Sequence, residues 1–563
     1  MNLEELWLKH YNSLVPRHAE YPNEPLPVIF KKNLDKWAHR PAIEFYGSVL
    51  THGDLWRRIS RFAEALSRLG IKQGDRVAIM LPNCPQNVIA YYAILWLGGI
   101  VVNTNPMYVE REIEYQWNDA GVKVAVVLDH LFPRVQSVLE KTSIEHVVVT
   151  SLKDALPLHL AALYPLKARK QKLFTAVPYD DHVLPFKKLI DSTVPTKRPC
   201  SAALDDIALL QYTGGTTGVA KGVMLSHRNI LANVVQITAW FPGLEWGRER
   251  LVGILPLFHV FGMTTCMNLA LYTGSCVLLI PRFEINEFLK LVSRFRPTLF
   301  PGVPTMFVAI VNHPKIAKFD LSSIKFCVTG SAPMPVEILE KFEKMTGSVI
   351  VEGFGLTESS PVTHCNPLYG LKKAGSVGIP LPDTECKIVD LENGTKEVEV
   401  GKEGELVVRG PQVMLGYWNR PKETAETLRD GWLYTGDIAR IDEDGYTYIV
   451  DRKKDMIITG GYSVYPREVE EVLYEHPKVL DAVAIGVPDP YRGEIVKVFV
   501  SPKPGETLKE DEIISFCKKK LAAYKVPKLV EIRDDLPKST VGKILRKELK
   551  AEELKKARTS NVL

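Results

Sequence analysis

Residues Ile207–Gly222 read IALLQYTGGTTGVAKG, and this stretch sets the frame for the rest of the chain. Ile207–Gln211 is a short apolar run of the kind that forms a buried strand. It opens directly into Tyr212-Thr213-Gly214-Gly215-Thr216-Thr217-Gly218-Val219-Ala220-Lys221-Gly222. Three internal glycines and three threonines leave backbone N–H groups and hydroxyls free to face a polyanion, and Lys221 adds a positive charge. Together they can cradle a triphosphate. The match to GxxxxGK[ST] is imperfect: the second glycine is out of register, and Gly222 stands where Ser or Thr follows the lysine. This is a phosphate loop of another kind.

The flanking chain alternates helix and strand. Leu55, Ile59, Phe62, Leu66 and Leu69 fall at helical spacing, Gly70 closes that helix, and Arg76–Leu81 reads as a buried strand. The pattern repeats with Val88–Leu97, Ile100–Asn103, Glu110–Ala120 and Val122–Leu128, and resumes from 205 to 390. Such repeats predict an α/β fold, with two mostly parallel sheets covered by helices. Residues 151–200 break the rhythm as an insertion. Leu156–Leu166 is apolar, Lys167–Lys172 is basic, and Pro157 and Pro165 are expected to limit any helix there. Such a segment suits either an anionic membrane surface or packing on the protein body. Residues 391–450 are Gly-rich with short alternating segments, and predict antiparallel strands forming a small β-barrel. The charged run Asp451–Asp455 marks a boundary. The domains are therefore expected at 1–450 and 451–563, the second a mobile α+β domain.

The 563 residues exceed what a single core usually serves. The 71 basic and 66 acidic residues nearly balance, so nothing in the charge calls for nucleic acid. None of the eight cysteines forms a CxxC pair, which argues against a zinc site or a disulfide framework. The apolar run Val88–Val102 is shorter than the roughly 20 residues that span a bilayer. It reads as a buried helix followed by a strand.

Downstream motifs give the loop its context. YTGGTTGVAKGVMLSHRN resembles the phosphate-binding signature of the acyl-adenylate-forming superfamily. Its Gly215 variant is similar to bacterial long-chain fatty acid–CoA ligases. The resemblance covers about residues 30 to 550 and implies ATP, Mg2+ and coenzyme A as cofactors and co-substrates. Gly330-Ser331-Ala332-Pro333 resembles the loop that packs on adenine. Glu352-Gly353-Phe354-Gly355-Leu356-Thr357-Glu358 resembles the motif whose aromatic residue stacks on adenine. There Thr357 would contact the α-phosphate, and Glu358, with Thr213, would hold Mg2+. Tyr434-Thr435-Gly436-Asp437 resembles the motif whose aspartate takes both ribose hydroxyls. Asp451 would be a hinge, Arg452 a ribose or phosphate contact, and Lys454 a further ATP-side residue. Gly460-Gly461-Tyr462 would approach the adenylate in the coenzyme A step. Pro537–Lys543 resembles the motif ending in the catalytic lysine, Lys543.

By the same resemblance the acyl pocket draws on His259, Val260, Phe261 and Met263, and on Gly302 and Val303. These are mostly apolar, as a hydrocarbon chain requires. No aspartate stands in 257–263 to hold an amino acid's ammonium group. His259 reads either as a carboxylate contact or as a satisfied core histidine. The expected reaction converts a long-chain fatty acid to acyl-AMP and then to acyl-CoA, in the cytoplasm or peripherally on the inner face of the membrane. A medium-chain or aryl acid ligase, a luciferase-like oxygenase and a silent lipid-binding protein are the alternatives. Chain length and homodimer formation stay open.

Overall fold

The computed structural model describes residues 3–171, 173–213, 220–332, 334–459, 462–489, 491–539 and 544–560. The chain forms two compact units. One comprises Leu8–Glu385 with Arg409–Leu433, and the other Cys386–Val408 with Tyr434–Leu563 and the first seven residues.

The larger unit carries two sheets, as the alternation predicts. In the first, eight strands among the described residues run Gly416–Tyr417, Lys221–Ser226, Ile207–Thr213, Ile100–Asn103, Arg76–Met80, Val122–Leu128, His146–Thr150 and Val183–Pro185. The six from Ile207–Thr213 onward are parallel, and the first two are antiparallel additions. The second sheet is parallel through its centre, including Arg250–Gly253, Leu299–Gly302, Phe326–Thr329 and Val349–Gly355. It turns antiparallel at Val362–Cys365.

Local chemistry accounts for the helices. His52–Arg68 starts on a reciprocal Thr51–Asp54 capping box and buries Leu55, Ile59, Phe62 and Leu66. Pro85–Trp96 begins on proline and is buried on every side. This is the apolar run that is too short to span a membrane. The insertion corrects one expectation: Leu158–Lys170 is a 13-residue helix with Pro165 inside it. Pro157 lies just ahead of the first turn, where a missing N–H costs little, and Pro165 removes a single helical bond.

The expected β-rich segment is a curled half-barrel sheet that includes Gly404–Arg409, Trp432–Ile441 and Thr447–Arg452, most of whose residues belong to the smaller unit. A second sheet orders Tyr462–Val464, Ile457–Thr459, Gly493–Pro502 and Val479–Asp489, with Leu529–Ile532 parallel to Gly493–Pro502. Its core packs Val469, Leu473, Val498 and Ile513. All eight cysteines are free thiols, and seven are buried. Burial pushes the thiols of Cys84, Cys266, Cys276 and Cys365 up to about 12.

Candidate active site

The phosphate loop joins two antiparallel strands, with Thr213 opposite Lys221. Loop residues Gly214, Gly215, Thr216, Thr217 and Gly218 lie outside the described residues, as do Pro333, Gly460, Gly461 and Lys543. Both ends of the loop are tied down. The hydroxyl of Tyr212 donates to Asp119 at 2.7 Å, and that of Tyr115 donates to the Ala220 carbonyl at 2.9 Å. Burial and Asp119 raise the Tyr212 phenol far above its ordinary value, so it remains a donor.

Lys221 meets Glu358 through a residue that no motif points to. Its ammonium sits 5.2 Å from the centre of the Tyr417 ring, and the Tyr417 hydroxyl donates to Glu358 Oε1 at 2.9 Å. The backbone of Met414 donates to the Glu358 carbonyl at 2.8 Å. Tyr417 thus links Lys221, which stands opposite Thr213 in the strand pair, to Glu358. Glu358 Oε2 accepts no bond among the described residues. One such carboxylate and a nearby threonine suit a magnesium ion that takes its remaining ligands from phosphate oxygens.

Strand Val349–Gly355 places Glu352, Gly353, Phe354 and Gly355, and a single 3-10 turn then holds Thr357 and Glu358. Glu352 accepts a bond from the Met334 backbone at 3.1 Å, which anchors the end of the 330–334 loop beside it. Gly355 is required by contact: a Cβ there would lie 1.9 Å from the Pro361 carbonyl oxygen. Gly330 and Ser331 follow the strand Phe326–Thr329, with Ala332 next, and Ser331 adopts φ 72°. A Cβ on Gly330 would lie 3.4 Å from the Phe261 ring, so the loop after Phe326–Thr329 adjoins segment 257–263.

That segment is locked to the phosphate strand. Gln211 donates to the Phe258 carbonyl at 3.0 Å, and the Leu257 backbone donates to Asn83 at 2.9 Å. Val260 and Met263 are fully buried, and Val303 nearly so. Gly302 faces Phe300 and Phe307. His259 accepts a bond from the Phe261 backbone through Nδ1 at 3.3 Å and so caps the short helix that follows it. From Met263 to Asn268 the helix widens to π geometry, a distortion common at functional sites. Just beyond lies an apolar cleft of about 30 Å³, which motif reading did not find. Trp240, Phe241, Leu244, Leu269, Phe300 and Val328 are among its walls. Its free space is that of one or two waters, so a hydrocarbon enters only if these walls part.

In the smaller unit, Asp437 and Arg452 stand opposite each other on adjacent strands, and Arg452 Nε pairs with Asp437 Oδ1 at 2.8 Å. Asp451 is buried and receives backbone N–H bonds from Arg452 at 2.7 Å and Arg467 at 2.8 Å. Burial raises its carboxyl above the ordinary value. Lys454 is exposed, and Tyr462 stacks on Tyr524 with ring centres 4.8 Å apart.

This architecture and this cluster belong to a defined class. Residues 30–418 match the AMP-binding enzyme family and 468–543 its C-terminal domain, and the chain belongs to that family. A long-chain-fatty-acid–CoA ligase of Bacillus subtilis (strain 168) is 47% identical over 98% of this chain and 99% of that protein. One of Escherichia coli O157:H7 is 42% identical over 98% of each. Among solved structures, the anthranilate CoA ligase AuaEII in complex with anthranoyl-AMP superimposes with a TM-score of 0.83. It shares 28% identity over 95% of this chain and 99% of that one. ATP-bound MatB from Rhodopseudomonas palustris gives 0.81 at 29% identity, over 94% and 99%.

Proposed function

We propose that the chain is a long-chain fatty acid–CoA ligase that works through an acyl-adenylate. The carboxylate attacks the α-phosphate of ATP, releasing pyrophosphate, and the coenzyme A thiol then displaces AMP from the mixed anhydride. The observation that carries this reading is the cluster Thr213–Lys221–Tyr417–Glu358 on the same unit as an apolar cleft walled in part by Thr265 and Leu269, shortly after segment 257–263. Full-length likeness to the two bacterial ligases supports the fatty acid as substrate.

In this reading the phosphate loop and Lys221 hold the leaving phosphates, and charge neutralisation and positioning do most of the work. Glu358 and Thr213 would hold Mg2+, which would offset charge on the phosphates. Lys543 serves the adenylation step, and Asp437 and Arg452 hold the ribose. The second domain, 451–563, then turns about Asp451 and brings Gly460, Gly461 and Tyr462 to the adenylate, because the two half-reactions need different groups at one carbonyl.

The membrane reading rests on the insertion. Leu158 is 91% and Leu166 66% exposed on a helix that ends in Arg169 and Lys170. Among the described residues no helix is long and apolar enough to cross a membrane. The exposed leucines beside a basic end suit peripheral contact with an anionic surface, which we place on the cytoplasmic face.

The deciding experiment is ATP-dependent coenzyme A consumption across straight-chain acids from acetate to oleate, with benzoate as the aryl control. Turnover per KM is expected to rise with chain length and to be least for acetate and benzoate. A maximum at benzoate or a short acid would refute the long-chain assignment.

A further inference from the structure

We propose that Tyr417 is a positioning residue for magnesium-dependent adenylation, setting Glu358 and Lys221 at a fixed separation through its hydroxyl and its ring. The inference rests on the reading of Glu358 as the magnesium carboxylate.

Both contacts come from one buried side chain: the hydroxyl donates to Glu358 Oε1 at 2.9 Å, and the ring centre lies 5.2 Å from Lys221 Nζ. The backbone beneath it is secured on three sides. Gly416 and Tyr417 pair with Met224 and Val223, on the strand that Lys221 begins. Trp418 donates to the Gly222 carbonyl at 2.7 Å, and Met414 to the Glu358 carbonyl at 2.8 Å. The Tyr417 N–H is held by Thr424 Oγ1 at 2.9 Å. Gly416 makes that turn possible: its φ is 143°, and a Cβ would sit 2.6 Å from a Thr424 methyl. Arg420, three residues on, binds Asp119, the same carboxylate that receives the Tyr212 hydroxyl. The segment 414–420 thus bridges both ends of the phosphate loop and the Glu358 turn.

The residue type suits the task. A carboxylate that receives one neutral hydrogen bond keeps its full charge, loses rotational freedom, and leaves the other oxygen for a cation. An arginine or lysine in that place would cancel the charge. The ring face likewise holds the Lys221 ammonium without neutralising it, so the cation stays available to phosphate. An ordinary phenol is protonated at neutral pH and so donates to the carboxylate.

The test is equilibrium binding of ATP by calorimetry, with Mg2+ and with a chelator. Tyr417→Phe removes only the hydroxyl. It should cut the Mg2+-induced gain in ATP affinity roughly tenfold, the scale of a lost hydrogen bond to a charged group. Metal-free affinity should be unchanged. Tyr417→Leu should also weaken metal-free ATP binding, through Lys221. Glu358→Asp, which draws the carboxylate away from an intact Tyr417, should reproduce the Phe variant's loss. Glu358→Gln should abolish the gain. If Glu358→Gln abolishes it while Tyr417→Phe keeps it whole, the positioning role is wrong. If Glu358→Gln keeps it, the reading of Glu358 fails and the inference falls with it.

Discussion

At the scale of single residues, sequence motifs located charge and missed support. Thr213, Lys221 and Glu358 could be read because each stands at a fixed place in a short pattern. Tyr417 could not, because its link to Glu358 spans 59 positions and one tyrosine among 21 carries no local signal. His259 was open between two roles, and its bond with the Phe261 N–H gives it structural employment as a cap. Asp437 offers a sharper expectation. It is almost fully buried and already paired with Arg452, so its charge is held in place before a ribose reaches it. Asp437→Asn should raise the KM for ATP by about tenfold or more, as expected on weakening a charge-assisted bond. The KM for the fatty acid should stay within about twofold. ATP and fatty acid titrations of the same variant distinguish this from a general loss of fold.

Elements with strong periodicity were legible almost to their ends. Glu110–Ala120 and Val122–Leu128 coincide with a helix and a strand of the structure. The helix at Leu158–Lys170 was not legible, because an interior proline costs about 3 kcal/mol through its lost N–H bond and ring clash and so weighs against a helix in any local reading, yet the helix runs through Pro165. That face gives the membrane reading its test. Replacing Leu158 and Leu166 together by serine removes two exposed apolar side chains, each worth about 1.5–3 kcal/mol if fully buried in lipid. Binding to vesicles containing phosphatidylglycerol, followed by co-sedimentation, should fall at least tenfold while ligase turnover on dispersed substrate is kept. Unchanged sedimentation would remove the helix from consideration.

Across the whole molecule, acid stability follows from three buried histidines. Burial lowers His52 and His227 to about 4 and His364 to about 3. Each is neutral in the folded chain and titrates near 6.5 when unfolded. Below that value the unfolded chain binds more protons, so their contribution is whole above about pH 6.5 and drains away as pH falls toward 4. Three protons correspond to a slope of up to about 4 kcal/mol per pH unit. Asp154, Asp451 and Glu470, whose carboxyls burial raises, act in the opposite sense and reduce it. The melting temperature should be nearly flat from pH 7 to 8 and decline from 6.5 to 5. A flat profile down to pH 5 would contradict neutral burial of these rings.

The buried sulfurs carry a consequence for fidelity. An acyl-adenylate is an electrophile, and any thiolate within reach could intercept it before coenzyme A does. Seven of this chain's eight cysteines are enclosed, and four of those thiols are held at about 12, where almost none is ionised at neutral pH. The eighth, Cys200, is partly buried and also raised. A catalyst that builds thioesters thus contains little nucleophilic sulfur of its own, so its activated intermediate is protected from self-acylation by the same packing that holds the fold.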